Sequence, residues 1–269
     1  MTLTRALTVL TGFAILNTAS PAYGAGVEII AHRGASYLAP ENTMASVQLA
    51  WALNADAVEI DVMLSKDGRI VLFHDKAMKR IAGVEGKVSD RTYDELRRLD
   101  VGKWKHAKYA GERIPLLAEA LASIPAGKRM FVELKTGPEI VPELKRVVAA
   151  AGKKPEQIVF ISFNHEACVR VKKVLPGHVV AHISRYEREK NKPPIEDLIK
   201  QATAGKLDAL DLDGNHGVSA KEASLMKAAG LGFYVWTIND PERARVLITA
   251  GVDGITTDRP DWLRRRLDR

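Results

Sequence analysis

Five clusters of side chains able to do chemistry mark this sequence: His32-Arg33-Gly34, Pro40-Glu41-Asn42-Thr43, Glu59-Ile60-Asp61, His74-Asp75 and, further on, Glu133-Leu134-Lys135. Where such a cluster ends a strand, side chains two apart share a face. Glu59 and Asp61 then project together, away from Val58, Ile60 and Val62, and Glu133 projects with Lys135, away from Val132 and Leu134. Carboxylates gathered inside a barrel repel and lose hydration unless a cation sits among them, and a hard divalent ion is the usual solution. Three oxygen ligands from Glu59, Asp61 and Glu133 would suit one Mg2+ or Ca2+. Zn2+ fits less well, because Cys ligands are absent and the histidines are needed elsewhere. His32 and His74, each closing a strand, would give one substrate a base and an acid near neutral pH, and Arg33 is a planar donor suited to a phosphate oxygen. Each cluster alone has a plainer reading: a buried Glu-Lys pair, acids on an edge strand, a hydrogen-bonded histidine, a surface arginine. Their succession in this order argues for a site.

Weaker candidates surround the set. Asn42 stands where it could cap a helix opening at Thr43, and Glu41 could bond back to the site, although a simple helix start explains both. Trp236 ends a strand and would either wall the site or pack in the core, and Phe163 has the same two options. Asp211, Asp213, His182 and His216 lie at or beyond strand ends, with no spacing that makes them a second metal site.

The elements that must position these residues alternate in a strand-helix rhythm, which indicates parallel α/β architecture. Eight strands are expected at Val27–His32, Ala57–Met63, Met130–Leu134, Ile158–Ser162, Val179–Ile183, Leu207–Leu212, Gly232–Trp236 and Val252–Thr256. Helices are expected at Thr43–Leu53, Glu139–Ala151, Ile195–Ala204, Ala220–Ala229 and Pro241–Ala250, the last with Asp240 as cap and Pro241 at its first position. One segment breaks the rhythm. Lys66-Asp67-Gly68 is a hairpin signal, so Arg69–Phe73 reads as a strand returning outside the barrel count. The stretch from about 75 to 114, broken by Gly83, Gly86, Gly102 and Gly111, reads as an insertion over one mouth, with a short helix near Tyr93–Leu99.

A chain of 269 residues suits one barrel and would be cramped as two domains. Residues 1–24 read as a removed export signal: Arg5, the apolar run Ala6–Leu16, and small residues at Ala22-Tyr23-Gly24. The run is too short to span a membrane, and no transmembrane segment is expected in the mature chain 25–269. Export points to the periplasm first and the extracellular space second. Cys168 is the single cysteine, so no intramolecular disulfide can form, and it reads as a small buried hydrophobe. Net charge falls from +7 to +6 when Arg5 is removed with the signal, which favours anionic partners in general. The basic residues are scattered and form no nucleic-acid module. Arg264-Arg265-Arg266 reads as the solvated face of a last helix carrying Trp262, Leu263 and Leu267.

With these residues in view, the chain resembles the glycerophosphodiester phosphodiesterase family, and the likeness extends from His32 through Val235-Trp236-Thr237-Ile238-Asn239 to Gly254-Ile255-Thr256-Thr257-Asp258-Arg259-Pro260. The resemblance implies a TIM (β/α)8 barrel with a small insertion after the second strand and its returning hairpin strand. It implies a divalent metal and hydrolysis of glycerophosphodiesters to glycerol 3-phosphate and an alcohol. By the same likeness His32 and His74 match the catalytic pair, Glu59, Asp61 and Glu133 the metal ligands, and Arg33 and Lys135 contacts to the phosphate. His32 would deprotonate the glycerol 2-hydroxyl and His74 would protonate the leaving alcohol, direct attack by water being the alternative. Two other readings stay open. One directs the same site to lysophospholipids, with Val84, Val88, Trp104 and Tyr109 of the insertion meeting an acyl chain; the other is a non-catalytic exported protein that captures phosphorylated headgroups.

Overall fold

The structure, a computed structural model, describes residues 26–186 and 193–268, so the expected export signal lies outside the described residues. The strands are β1 (Glu28–Ala31), β2 (Ala57–Leu64), β3 (Ile70–Leu72), β4 (Arg129–Leu134), β5 (Ile158–Ser162), β6 (Val179–Ser184), β7 (Ala209–Asp213), β8 (Gly232–Trp236) and β9 (Gly254–Thr257). Eight of them are parallel and close a ring in the order β1-β9-β8-β7-β6-β5-β4-β2, with β2 returning to pair with β1. This is the expected barrel. Val62 pairs with Leu134 on one side and with Leu72 on the other, so β3 runs antiparallel along the side of β2 that β1 leaves at Val58. The hairpin strand therefore stands outside the ring, as the Lys66-Asp67-Gly68 turn requires.

Parallel strands covered by helices are buried on both faces, and the period of two sorts their side chains. Ile30, Ala57, Phe131, Val159, Ile161, Ala181, Ile183, Ala209 and Tyr234 fill the ring. The alternate residues Val58, Ile60, Val132, Phe160, Val180, Leu210 and Val235 face outward into the larger core against the helices. Burying each of these aliphatic or aromatic side chains contributes about 1.5–3 kcal/mol, and most of the barrel's cohesion comes from this outer layer. At the floor, where the strands begin, the ring is closed by the Glu28–Arg129 ion pair at 2.9 Å, with the guanidinium 5.2 Å above the Phe131 ring.

The helices are α1 (Met44–Ala52), α2 (Lys79–Ala82), α3 (Tyr93–Leu96), α4 (Leu117–Ala122), α5 (Val141–Ala151), α6 (His165–Val174), α7 (Ile195–Ala204), α8 (Ala220–Ala228), α9 (Pro241–Ala250) and α10 (Pro260–Leu267). Sequence periodicity does not single out α4 or α6. The start of α6 is set by Asn164, whose side chain accepts from the Ala167 N–H. Cys168 on α6 is buried, and burial pushes its thiol up to about 12, in keeping with a packing role. In α10 Leu263 is buried and Arg265 and Arg266 are exposed, but Arg264 is bound to Asp56 at 2.6 Å rather than solvated.

The insertion carries α2, α3 and two 3-10 turns over a small core of its own, in which Met78, Ile81, Val88, Leu96 and Val101 pack on Met63, Val71 and Phe73. It is tied to the loop after β1 by Lys105 Nζ donating to the Ser36 carbonyl (2.7 Å) and by the Tyr109 hydroxyl donating to the Leu38 carbonyl (2.9 Å). The returning hairpin thus delivers His74, and the insertion beyond it covers one side of the mouth.

Candidate active site

At the carboxyl ends of the strands the inward register changes from apolar to acidic. Above Ala57 come Glu59 and Asp61, above Phe131 comes Glu133, and above Ala209 comes Asp211. Asp61 and Glu133 are register partners across β2 and β4. One carboxylate oxygen each from Glu59, Asp61 and Glu133 lies within 4.8 Å of the others. The three predicted ligands therefore converge.

Each carboxylate is partly satisfied, and the remainder points to a cation. Glu59 Oε2 accepts from the Arg33 N–H at 2.9 Å while its Oε1 is buried with no hydrogen-bond partner. Asp61 Oδ2 accepts from Asn42 Nδ2 at 2.8 Å, and its Oδ1, which lies 3.5 Å from Lys135 Nζ, accepts no hydrogen bond. Glu133 Oε1 accepts from Lys135 Nζ at 2.6 Å. Buried oxygens without donors are costly, and an all-oxygen set of three carboxylates suits a hard divalent cation. The donor set fits Mg2+ or Ca2+.

Protonation follows the same crowding. Burial, then the charges of Asp61 and Glu133, raise Glu59 well above the usual carboxylate range, with Arg33 opposing. Burial and Asp61 push Glu133 up to about 7 against the pull of Lys135. Burial also works against ionisation of Asp61, but Arg33, Lys135 and the Asn42 hydrogen bond outweigh it and hold Asp61 low. Asp211 is fully buried and raised by burial and by Glu133, and its Oδ1 has no partner. Protons on these carboxyls occupy the lone pairs that a cation would take.

The two imidazoles are anchored alike. His32 Nδ1 is 2.6 Å from Asp258 Oδ1, and His74 Nδ1 is 2.7 Å from Asp75 Oδ1, which makes Nε2 the working nitrogen of each ring; His32 Nε2 accepts from Arg33 Nε at 3.2 Å. Asp258 is held in turn by Ser36 Oγ and Asn239 Nδ2, and the His32 hydrogen bond lowers it to about 2 although burial resists. Asp75 is also lowered to about 2, chiefly by Arg80. Burial lowers His74, partly offset by Asp61.

Arg33 is the pivot. It adopts a left-handed backbone (φ 53°), which swings its N–H onto Glu59 and its side chain between Glu41 (2.7 Å) and Asp61 (3.2 Å). Gly34 follows at φ 80°, where a Cβ would come within 2.5 Å of Ser46 on α1, so only glycine allows the turn. Glu41 also binds Arg80 of α2 through both oxygens, and Arg80 Nε binds Asp75 at 2.6 Å. Arg80 thereby links the two sides of the mouth. The expectation for Asn42 needs correction. Thr43 is the cap of α1, accepting from the Ser46 N–H, while Asn42, at φ 56°, donates to Asp61 Oδ2 and accepts from the Asp61 N–H.

One chamber of about 230 Å3 is lined by His32, Arg33, Glu59, His74, Glu133 and Lys135 together with Asp211, Arg185, Phe163 and Trp236. Trp236 packs edge-on against Phe163 at 5.5 Å and donates through Nε1 to the Asp211 carbonyl, so it walls the chamber while being half-buried. His182 instead bonds the Phe163 carbonyl, Asp213 turns to Asn215, and His216 is exposed, so none of these three lines the chamber. Asp75 belongs to the His74-Asp75 cluster and Asp258 to the Gly254–Pro260 stretch, but their role as imidazole anchors, like the roles of Arg80 and Arg185, is not read from sequence. Asp258 and Arg185 continue the inward parity of β9 and β6 past the strand ends, a signal that was available; Arg80 is visible only through tertiary contact.

Residues 32–262 match the model of the glycerophosphoryl diester phosphodiesterase family. The chain is 34% identical over 242 residues to a glycerophosphodiester phosphodiesterase of Caldanaerobacter subterraneus subsp. tengcongensis, covering 87% of this chain and 95% of that one. It is 28% identical over 263 residues to a glycerophosphodiester phosphodiesterase of Bacillus subtilis, covering 88% and 85%. Among solved structures, a phosphodiesterase of Oleispira antarctica in complex with the product sn-glycerol-3-phosphate superposes with a TM-score of 0.82 at 31% identity, covering 90% of this chain and 97% of that one.

Proposed function

The chain belongs to the glycerophosphoryl diester phosphodiesterase family and is a phosphoric diester hydrolase; on that premise we propose that it hydrolyses glycerophosphodiesters to glycerol 3-phosphate and an alcohol, with a divalent cation and two histidines. The observation that carries this reading is the single chamber lined at once by both anchored imidazoles, by Arg33 and Lys135, and by Glu59 and Glu133. Glu59, Asp61 and Glu133 would hold the cation. When bound, it would polarise the phosphoryl oxygens and neutralise charge that develops in the transition state.

Arg33 and Lys135 bind the phosphate from two sides, and Trp236 with Phe163 walls the carbon skeleton of the glycerol. His32, its Nδ1 turned to Asp258, accepts the proton of the glycerol 2-hydroxyl at Nε2 as that oxygen bonds to phosphorus. His74, held by Asp75, gives its Nε2 proton to the alcohol oxygen as the old P–O bond breaks. Water then opens the cyclic phosphate, its proton going to His74, while His32 returns a proton to the 2-oxygen. Direct attack by water is distinguished by substrates lacking the neighbouring hydroxyl, whose cleavage at full rate would remove the cyclic route.

The acylated-substrate alternative has less support. Val88 lies in the core of the insertion and Val84 packs against it, so two of the four apolar residues offered to an acyl chain are already covered. Export, resting on Arg5, Ala6–Leu16 and Ala22-Tyr23-Gly24, is part of the proposal and is tested by the N-terminus of the secreted protein. The activity is tested by release of glycerol 3-phosphate from a panel of glycerophosphodiesters and a lysophospholipid, each with chelator, Mg2+ and Ca2+. Release that requires a divalent cation supports the reading. Binding of glycerophosphodiesters without any turnover would favour headgroup capture instead.

A further inference from the structure

A groove of about 570 Å3 opens from the chamber, sharing Glu133, Lys135 and Phe163 with it. It runs outward between the loop after β4 on one side and the insertion on the other. The chamber is the more confined of the two and holds both imidazoles, so the glycerol phosphate half of a diester belongs there. The groove remains for the leaving alcohol. Two lysines of the insertion, Lys76 and Lys87, stand on its wall. Their backbones are joined there, since Ala77 and Lys87 pair in an antiparallel bridge and the Val88 N–H donates to the Lys76 carbonyl at 3.3 Å.

Like charges lining one groove repel unless something negative lies between them. Three other cations of the insertion are matched: Lys79 by Glu85, Arg80 by Glu41 and Asp75, Arg97 by Asp94. Among the described residues neither Lys76 nor Lys87 has a carboxylate within ion-pair distance. The acid that the groove does not share with the chamber, Glu139, turns an oxygen back to the Gly137 N–H at 2.9 Å. On the facing wall, in the loop after β4, the Thr136 hydroxyl is buried without a hydrogen-bond partner. Two lysines without carboxylate partners on one wall and an unsatisfied hydroxyl on the other describe a site for an anionic, hydrogen-bonding group.

We infer that this groove is the leaving-alcohol subsite and that Lys76 and Lys87 select diesters whose alcohol carries an additional phosphate, over neutral and then cationic alcohols. The inference rests on the hydrolase reading above and specifies its substrate class. An ammonium headgroup such as choline would bring a third positive charge to the lysine pair, whereas a phosphorylated polyol would neutralise it.

The test compares kcat/KM for glycerophosphoinositol 4-phosphate, glycerophosphoinositol and glycerophosphocholine in the wild type, Lys76→Glu, Lys87→Glu and the double variant. The expected order is the one just written, with the phosphorylated substrate ahead of its unphosphorylated counterpart by about tenfold at low salt, a ratio that narrows as ionic strength rises. Each single reversal should reduce that ratio severalfold, and the double reversal should invert it. Lys79→Glu, whose ion pair lies outside the groove, should leave the ratio as in the wild type. Because both lysines are exposed, folding should survive, and Lys76→Gln with Lys87→Gln gives a second, milder series. Equal kcat/KM for the two inositol substrates in an active enzyme, or a ratio unmoved by the double reversal, would overturn the subsite while leaving the hydrolase reading intact. Absence of turnover on every substrate would overturn both.

Discussion

Buried charge lies at both ends of this barrel, and the two ends handle it differently. At the floor, Glu28 meets Arg129, acid against base, with Phe131 and Tyr234 beside the guanidinium. At the mouth, Glu59, Asp61, Glu133 and Asp211 face Arg33 and Lys135, so acids outnumber bases by two. A raised carboxyl does not separate the two ends. Burial lifts Glu28 to about 7 despite Arg129, much as burial and Asp61 lift Glu133 to about 7. The difference lies in the oxygens. Glu28 Oε2 is bonded, while Glu59 Oε1, Asp61 Oδ1 and Asp211 Oδ1 are buried and accept nothing. A matched buried pair closes the barrel; a buried surplus of acceptors suits the cation of the proposed hydrolysis.

The comparison is broken most strongly by removing the acid and base at the mouth. His32→Ala and His74→Ala should each lower kcat by about 100-fold to 10,000-fold with little change in stability, and unchanged turnover in both would contradict their roles. At the floor the effect should move to stability. Arg129→Met leaves Glu28 buried without its partner and should cost about 3 kcal/mol in urea unfolding while kcat per folded molecule stays near wild type; a loss of activity without a loss of stability would invert the assignment of the two ends.

A third measurement uses both conditions of the mouth. With chelator, Glu59→Gln should be at least as stable as the wild type, because it removes a buried acid repelled by Asp61 and Glu133. With divalent cation at about 100 times its Kd, the wild type should gain about 2.7 kcal/mol that the variant largely lacks. A cation-independent stability difference would remove the cation from the account.

The most gradual effect belongs to Glu28→Gln. Glu28 titrates at about 7 in the folded chain against an ordinary value of 4.5, so the native state holds this proton more tightly than the unfolded state. Wild-type stability relative to Glu28→Gln should therefore fall as pH rises from about 4.5 to about 7, by less than about 1.4 kcal/mol per pH unit, and level off above that window. Urea midpoints across pH 4 to 8, as an approximate range, measure it; a difference that grows in the opposite direction would contradict the burial of Glu28.

Much of this was legible in the chain. The period of two paired Glu59 with Asp61 and Glu133 with Lys135, and the Lys66-Asp67-Gly68 turn put His74 on a strand outside the ring. The same parity, carried past β9 and β6, reaches Asp258 and Arg185; stopping at the strand ends concealed them. Asn42 and Thr43 are adjacent and both good caps, and the left-handed backbone at Asn42, which sequence spacing does not reveal, decides between them. Arg80 was not legible, since its partners Glu41 and Asp75 come together only when the insertion folds back over the mouth.

Calorimetric titration of Mg2+ and Ca2+ into the chelator-treated protein asks whether the surplus carboxylates at the mouth form one divalent-cation site. The expected result is one ion per wild-type chain, none per Glu133→Gln chain, and normal binding by Arg129→Met. A wild-type protein that binds neither ion yet releases glycerol 3-phosphate in chelator would contradict it.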